Sequence, residues 1–98
     1  MRKTFPLTDP RHKPPQVVNA IKNDVRKYIK RERGKKLPEG ADFWDFDCKV
    51  GRNGPTVVTH VGDLAKAIDE AAAQGWEAVH IEILAKPKTR DRKPNADD

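Results

Sequence analysis

The sequence has little of several things, and each shortage excludes something. It holds one cysteine, so no internal disulfide staples the fold and a reducing compartment, the cytoplasm, is expected. No apolar run approaches the ~18 residues of a membrane span. The basic start has no apolar stretch behind it, so neither a membrane anchor nor a secretory leader is expected. Aromatic residues make up 6% of the 98 residues and hydrophobic residues 36%. That supports one small domain with a thin core, and leaves no room for a second catalytic domain or a large cofactor-binding fold. No glycine-rich phosphate loop is present, because Gly51-Arg52-Asn53-Gly54 lacks the helix that such a loop must lead into.

Charge is plentiful and unevenly placed. Lys and Arg number 20 against 15 Asp and Glu, a net of +5. Residues 1–36 carry +9, residues 37–85 carry −6 and residues 86–98 carry +2. A basic first third joined to an acidic middle gives electrical poles, which bear on partners and association, not on fold.

Hydrophobic periodicity divides the chain into six elements. Phe5 and Leu7 share a face of a first strand over residues 2–7, and Pro6 there suits an edge or an irregular end. Val18, Ile21, Val25, Tyr28 and Ile29 recur at helical spacing after Pro14-Pro15, prolines that suit a helix's first turn. Residues 43–50 alternate strictly, with Trp44, Phe46, Cys48 and Val50 inward and Phe43, Asp45, Asp47 and Lys49 outward. A third strand is expected over Thr56–Val61 with Val57 and Val61 inward and His60 outward. Gly62 reads as the cap of a second helix carrying Leu64, Ile68, Ala71 and Ala72, which Gly75 ends. A fourth strand follows over Glu77–Ala85, with Val79, Ile81 and Ile83 inward and His80 and Glu82 outward. The order βαββαβ predicts an α+β, ferredoxin-like sandwich: a four-stranded antiparallel sheet, strand order 4-1-3-2, with two helices on one face. The expected boundaries are one domain over residues 1–87 and a disordered charged tail over 88–98.

The runs Val25–Arg33 (VRKYIKRER), Leu37–Gly40 (LPEG), Phe43–Cys48 (FWDFDC) and Glu82–Pro87 (EILAKP) are distinctive. With the opening Lys3-Thr4-Phe5, they resemble a family of short bacterial proteins catalogued only as a domain of unknown function. The resemblance covers residues 2–87. It implies a bacterial, cytoplasmic protein and carries over no catalytic residue.

Three functional readings follow from the residues. The first rests on the end of the first helix, where Arg26, Lys27, Lys30, Arg31, Arg33, Lys35 and Lys36 stand against Glu32 alone. Cations along a helix can neutralise successive phosphates and release counterions, and arginine can grip phosphate bidentately. A solvated helix face with cations near its C-terminal dipole is the plainer explanation of the same run. The expected partner is nucleic acid, structured RNA first, or another polyanion, contacted at the backbone with little base readout. The loop cations Arg11, His12 and Lys13 would assist. Stacking of bases on the open sheet face, as in RNA-recognition-motif domains, is not expected. The expected central strands offer no aromatic there, and Thr4, Asp45, Asp47, His60, His80 and Glu82 make that face acidic to neutral.

The second reading is a protein-interaction or homodimer module, using the open sheet face or the Phe43–Val50 strand as a free edge, with Phe43 and Leu84 as its apolar marks. The third is a metal-dependent enzyme using Asp45, Asp47 and His60, set against an ordinary wet sheet face. His80 and Glu82 are expected too far away, at the opposite sheet edge, to join that site. Cys48 lies in the apolar stripe and reads as a buried, inert thiol. The reading adopted is a non-enzymatic binding module without cofactor, catalytic residue, metal site or membrane contact.

Overall fold

Val79, Ile81 and Ile83 form the most apolar strand face in the chain, and they sit at the centre of the molecule with 0–1% exposure. The computed structural model describes residues 1–52 and 54–90. Its elements are β1 (Arg2–Pro6), α1 (Pro14–Arg33), β2 (Phe43–Gly51), β3 (Thr56–Thr59), a 3-10 turn (Val61–Asp63), α2 (Leu64–Ala73) and β4 (Ala78–Lys88). The architecture is the expected α+β one: two helices and a four-stranded antiparallel sheet, in the order βαββαβ.

The pairs β1–β4 and β2–β3 form as the ferredoxin-like arrangement requires. They join through β4 and β2, with Cys48 opposite Ile83 and Val50 opposite Ile81. The sheet therefore runs β1-β4-β2-β3, whereas the expected order 4-1-3-2 had β1 and β3 in the middle. The strands' own chemistry accounts for the difference. β4 has 11 residues and β2 has 9, and each buries an alternating apolar stripe. β1 is five residues long with one buried side chain, and β3 is four residues long with none. Short, polar or proline-containing strands belong at edges.

Both strand prolines obey the hydrogen-bond parity. The backbones of Met1 and Ile83 exchange two hydrogen bonds, so odd-numbered residues of β4 face β1 and even-numbered ones face β2. Pro87 is odd and lies beyond the reach of β1, where no partner asks for its missing N–H. Pro6 points its ring nitrogen to the outer side of β1 by the same alternation.

One side of the sheet carries both helices. Val18, Ile21 and Val25 of α1 and Leu64, Ile68 and Ala71 of α2 close over Phe5, Phe46, Cys48, Val50 and the β4 stripe. α1 starts at Pro14, with the Gln16 side-chain oxygen accepting the Lys13 N–H at 3.2 Å. α2 ends in a Schellman turn: Gly75 has φ +76°, its N–H reaches the Ala72 carbonyl, and the Trp76 N–H reaches the Ala71 carbonyl. Trp76 then packs back on the core, as its position after Gly75 suggests.

Three local expectations are revised. β3 stops at Thr59, and Val57 and Val58 are 70% and 79% exposed. Gly62 lies inside the 3-10 turn that His60 caps, its N–H donating to His60 Nδ1 at 3.0 Å, and the N-cap of α2 is Asp63. β4 continues to Lys88, and the Arg90 N–H donates to Asp42 at 2.8 Å. The chain thus keeps its structure past the expected boundary at 87, while residues 91–98 of the expected tail lie outside the described residues.

Candidate nucleic-acid interface

The α1 sequence has to satisfy two demands, and 20 residues of helix allow it to do both. Its apolar stripe faces the sheet, so the cations between the stripe residues are forced outward. Arg26, Lys27, Lys30, Arg31, Arg33, Lys35 and Lys36 are all exposed. At 100° per residue, Arg26, Lys30 and Arg33 fall within roughly 60° of one another and span about 10 Å of axis. Lys27 and Arg31 form a second row on the other flank of the exposed pole.

The first row borders a shallow cavity of about 430 Å³, whose remaining lining is Ile29, Val61 and Gly62. It continues into an apolar crevice of about 130 Å³ between α1 and α2, floored by Val25, Leu64 and Ile68. Among the described residues, no carboxylate lies within ion-pair distance of Arg26, Lys27, Lys30, Arg31, Arg33 or Lys36. Lys35 differs, because Glu32 holds its ammonium at 2.8 Å. Arg31 lies over the Tyr28 ring and Arg33 over the Phe46 ring, at 5.8 and 5.5 Å from the centroids. Both guanidiniums are thereby steadied without being neutralised. The C-terminal helix dipole favours these cations and opposes an anion at the last turn, so any phosphate grip there must come from the side chains.

The loop cations behave otherwise. Asp9 accepts the Arg11 backbone N–H at 2.8 Å and meets His12 Nδ1 at 3.0 Å. These contacts, the Arg11 N–H foremost, hold its carboxyl below the usual range. Arg11 and His12 are thus turned toward an anion of their own chain, while Lys13 is exposed and, among the described residues, has no carboxylate within ion-pair distance.

The open sheet face departs most from expectation. Because β4 is the direct neighbour of β2, Asp45 meets Lys88 at 3.0 Å and Asp47 meets Lys86 at 2.6 Å. Glu82 meets His80 at 2.9 Å and Arg2 at 3.8 Å. Hydrogen bonding from Lys88 lowers the Asp45 pKa and raises that of Lys88 in return. Hydrogen bonding from His80 lowers that of Glu82. The face is a lattice of matched charges, not an acidic one. Its one exposed aromatic, Phe43, sits at the end of β2, so no stacking platform crosses the central strands.

The Asp45, Asp47 and His60 constellation of the third reading is not assembled. His60 lies past the end of β3 and caps the 3-10 turn, while both aspartates are engaged by lysines. Among the described residues, no group of three His, Cys, Asp or Glu could hold a metal ion. His80 and Glu82 stand next to β2, with Glu82 opposite Lys49, and not at the far edge. Cys48 is 1% exposed. Burial first, and then Asp47 and Asp45, push its thiol up to about 11, the reverse of an activated nucleophile. No helix of the described residues is long and apolar enough to cross a membrane.

No curated protein and no solved structure matches the chain. A family model does match, over residues 1–95, and it spans every element described above. The chain belongs to the family of unknown function DUF6172.

Proposed function

We propose that this protein is a small non-enzymatic binding module of the bacterial cytoplasm that docks α1 on the phosphate backbone of a nucleic acid, structured RNA first. The observation that carries this reading is the row Arg26, Lys30 and Arg33. Among the described residues, three cations on one helix face border one groove without a carboxylate partner, while Arg2, Lys86 and Lys88 of the sheet are paired with carboxylates within the fold. Binding is electrostatic, reads backbone and shape, and weakens as salt rises. The exposed row on the far flank, Lys27 and Arg31, widens the contact, and Lys36 extends it past the helix.

The test is binding to a hairpin RNA, a single-stranded RNA and a DNA duplex, each across a salt series. Three to five phosphate contacts give a slope of log K against log salt of about −2 to −4.5. Replacing both Lys30 and Arg33 with Glu is expected to abolish binding without loss of fold, since both side chains are exposed. No binding near physiological salt, equal weak binding to every polyanion, or unchanged binding by the double variant would each overturn the assignment.

A further inference from the structure

We infer that the outer edge of β3 pairs with the β3 of a second copy of this chain, joining two sheets into one of eight strands. The inference is independent of the nucleic-acid reading and replaces the expected edge, Phe43–Val50, which the structure places in the middle of the sheet.

The two edges of the sheet are built differently. β1 carries Arg2, Lys3 and Pro6, and a proline and lysine or arginine on an edge are the usual means of blocking further strand addition. β3 reads Thr56-Val57-Val58-Thr59 and carries neither charge nor proline. Its two valines are the most exposed of the large hydrophobic residues, at 70% and 79%. They are β-branched side chains suited to a pleated surface and left without one.

Parity identifies the free backbone groups. Even-numbered residues of β4 face β2, and Glu82 lies opposite Lys49. Lys49 therefore faces β4, and Cys48 and Val50 face β3. Their partners Thr59 and Val57 face inward. The outward N–H and C=O groups are those of Thr56 and Val58. An antiparallel copy centred on Val58 satisfies the Val58 groups reciprocally: Val58 meets Val58, Val57 meets Thr59, and Thr56 lies opposite His60, whose carbonyl already accepts the Asp63 N–H at 2.8 Å. His60 has the extended conformation this requires, φ −66° and ψ 142°.

Opposed residues in this register lie on matching faces of the two sheets, so both helix layers fall on one side and the sheet continues without inversion. Charge also selects this contact. A molecule with a net charge of +5 repels its own copy over most of its surface, and the β3 edge is where two copies meet without a cation on either facing strand. One short strand pair buries well under the ~1,000 Å² of a stable interface, so the dimer is weak and concentration-dependent.

The experiment is sedimentation equilibrium and NMR on the full chain from micromolar to millimolar concentration, with a mixed-label sample to isolate contacts between copies. The expected result is a reversible dimer. An Hα–Hα contact between Val57 of one copy and Thr59 of the other should appear, and the Val58 amide should gain exchange protection as concentration rises. Val58→Lys is expected to weaken association by at least ~10-fold. The side chain is exposed in the monomer, so the fold should survive the change. A second variant, Leu84→Lys on the open face, should leave association unchanged. A monomer throughout the range would overturn the inference, and so would a dimer lost in Leu84→Lys but intact in Val58→Lys.

Discussion

Raising the pH should destabilise this protein through one thiol. Cys48 is 1% exposed in the face that β2 turns toward the helices, and its pKa stands at about 11 against an ordinary 9.0. The folded thiol keeps its proton over a range in which the unfolded one has lost it. Stability that is complete below pH 9 therefore falls as pH rises, and the fall ends near pH 11. The loss is about 3 kcal/mol in all, of which roughly half is gone by pH 10. The assay is urea unfolding from pH 7.5 to 10, on the native chain and on Cys48→Ala. Subtracting the two removes lysine and tyrosine titration common to both. With a urea slope of ~1–1.5 kcal/mol per molar for a chain of this size, the midpoint difference should change by about 1 M over that range. A difference that stays flat to pH 10 would refute the reasoning, because the thiol would then titrate alike in both states. The native thiol should also react with a disulfide reagent only as fast as the protein opens.

Two further predictions concern the sheet. At Gly51, an added Cβ would lie 2.5 Å from the Pro55 carbonyl oxygen and 2.9 Å from the Thr56 methyl, so Gly51→Ala is expected to cost about 1–3 kcal/mol, lowering Tm by roughly 4–8 °C for each kcal/mol. A thermal melt checks this, and an unchanged Tm contradicts the tight β2–β3 connection. Asp45 should titrate below 3.8, its ordinary value, because Lys88 donates to it. The pair's contribution is present at neutral pH and lost as pH falls through that lowered pKa. NMR titration of the Asp45 carboxyl carbon in Lys88→Ala should show its midpoint moving up toward the ordinary value, and a midpoint that does not move removes Lys88 as the cause.

Local chemistry was legible in the sequence wherever one residue's periodicity decided it. The alternation from Trp44 to Val50 separated the buried face from the wet one. The stripe from Val18 to Ile29 defined α1 and with it the outward direction of Arg26, Lys30 and Arg33. What could not be read depended on distant segments. Four residues of Thr-Val-Val-Thr have no alternation, so the burial of Val57 was undetermined. The order of strands is a competition among all four. β4 takes a central place because it offers three fully apolar inward side chains, which only the whole sheet can weigh against Phe5 of β1. The fourth strand was expected to stop at Ala85 because the charge and proline of Lys86-Pro87-Lys88 usually mark the end of a strand. Hydrogen-bond parity places that proline against an unpaired side, a feature visible only once the register is known.

That change in strand order alters the electrostatic argument as well. In the sequence, a basic first third faces an acidic middle, as if the molecule had two opposed poles. In the fold, Lys86 and Lys88 from the far end of the chain lie on Asp47 and Asp45, and Arg2 lies near Glu82. Matched charges a few ångströms apart cancel at a distance comparable to the screening length of ~8–10 Å. The carboxylates of the sheet therefore project little field, and the negative pole fades. The α1 rows have no such counter-charges among the described residues, so they set the potential that an approaching molecule meets first. Had β1 and β3 been central, β4 would have lain at the far side of the sheet, away from Asp45 and Asp47. An acidic face would then have competed with the helix for every cation and repelled every phosphate. Strand order, settled by apolar packing on one side of the sheet, thus determines that the opposite side is electrically quiet and that α1 is the charged feature of the protein.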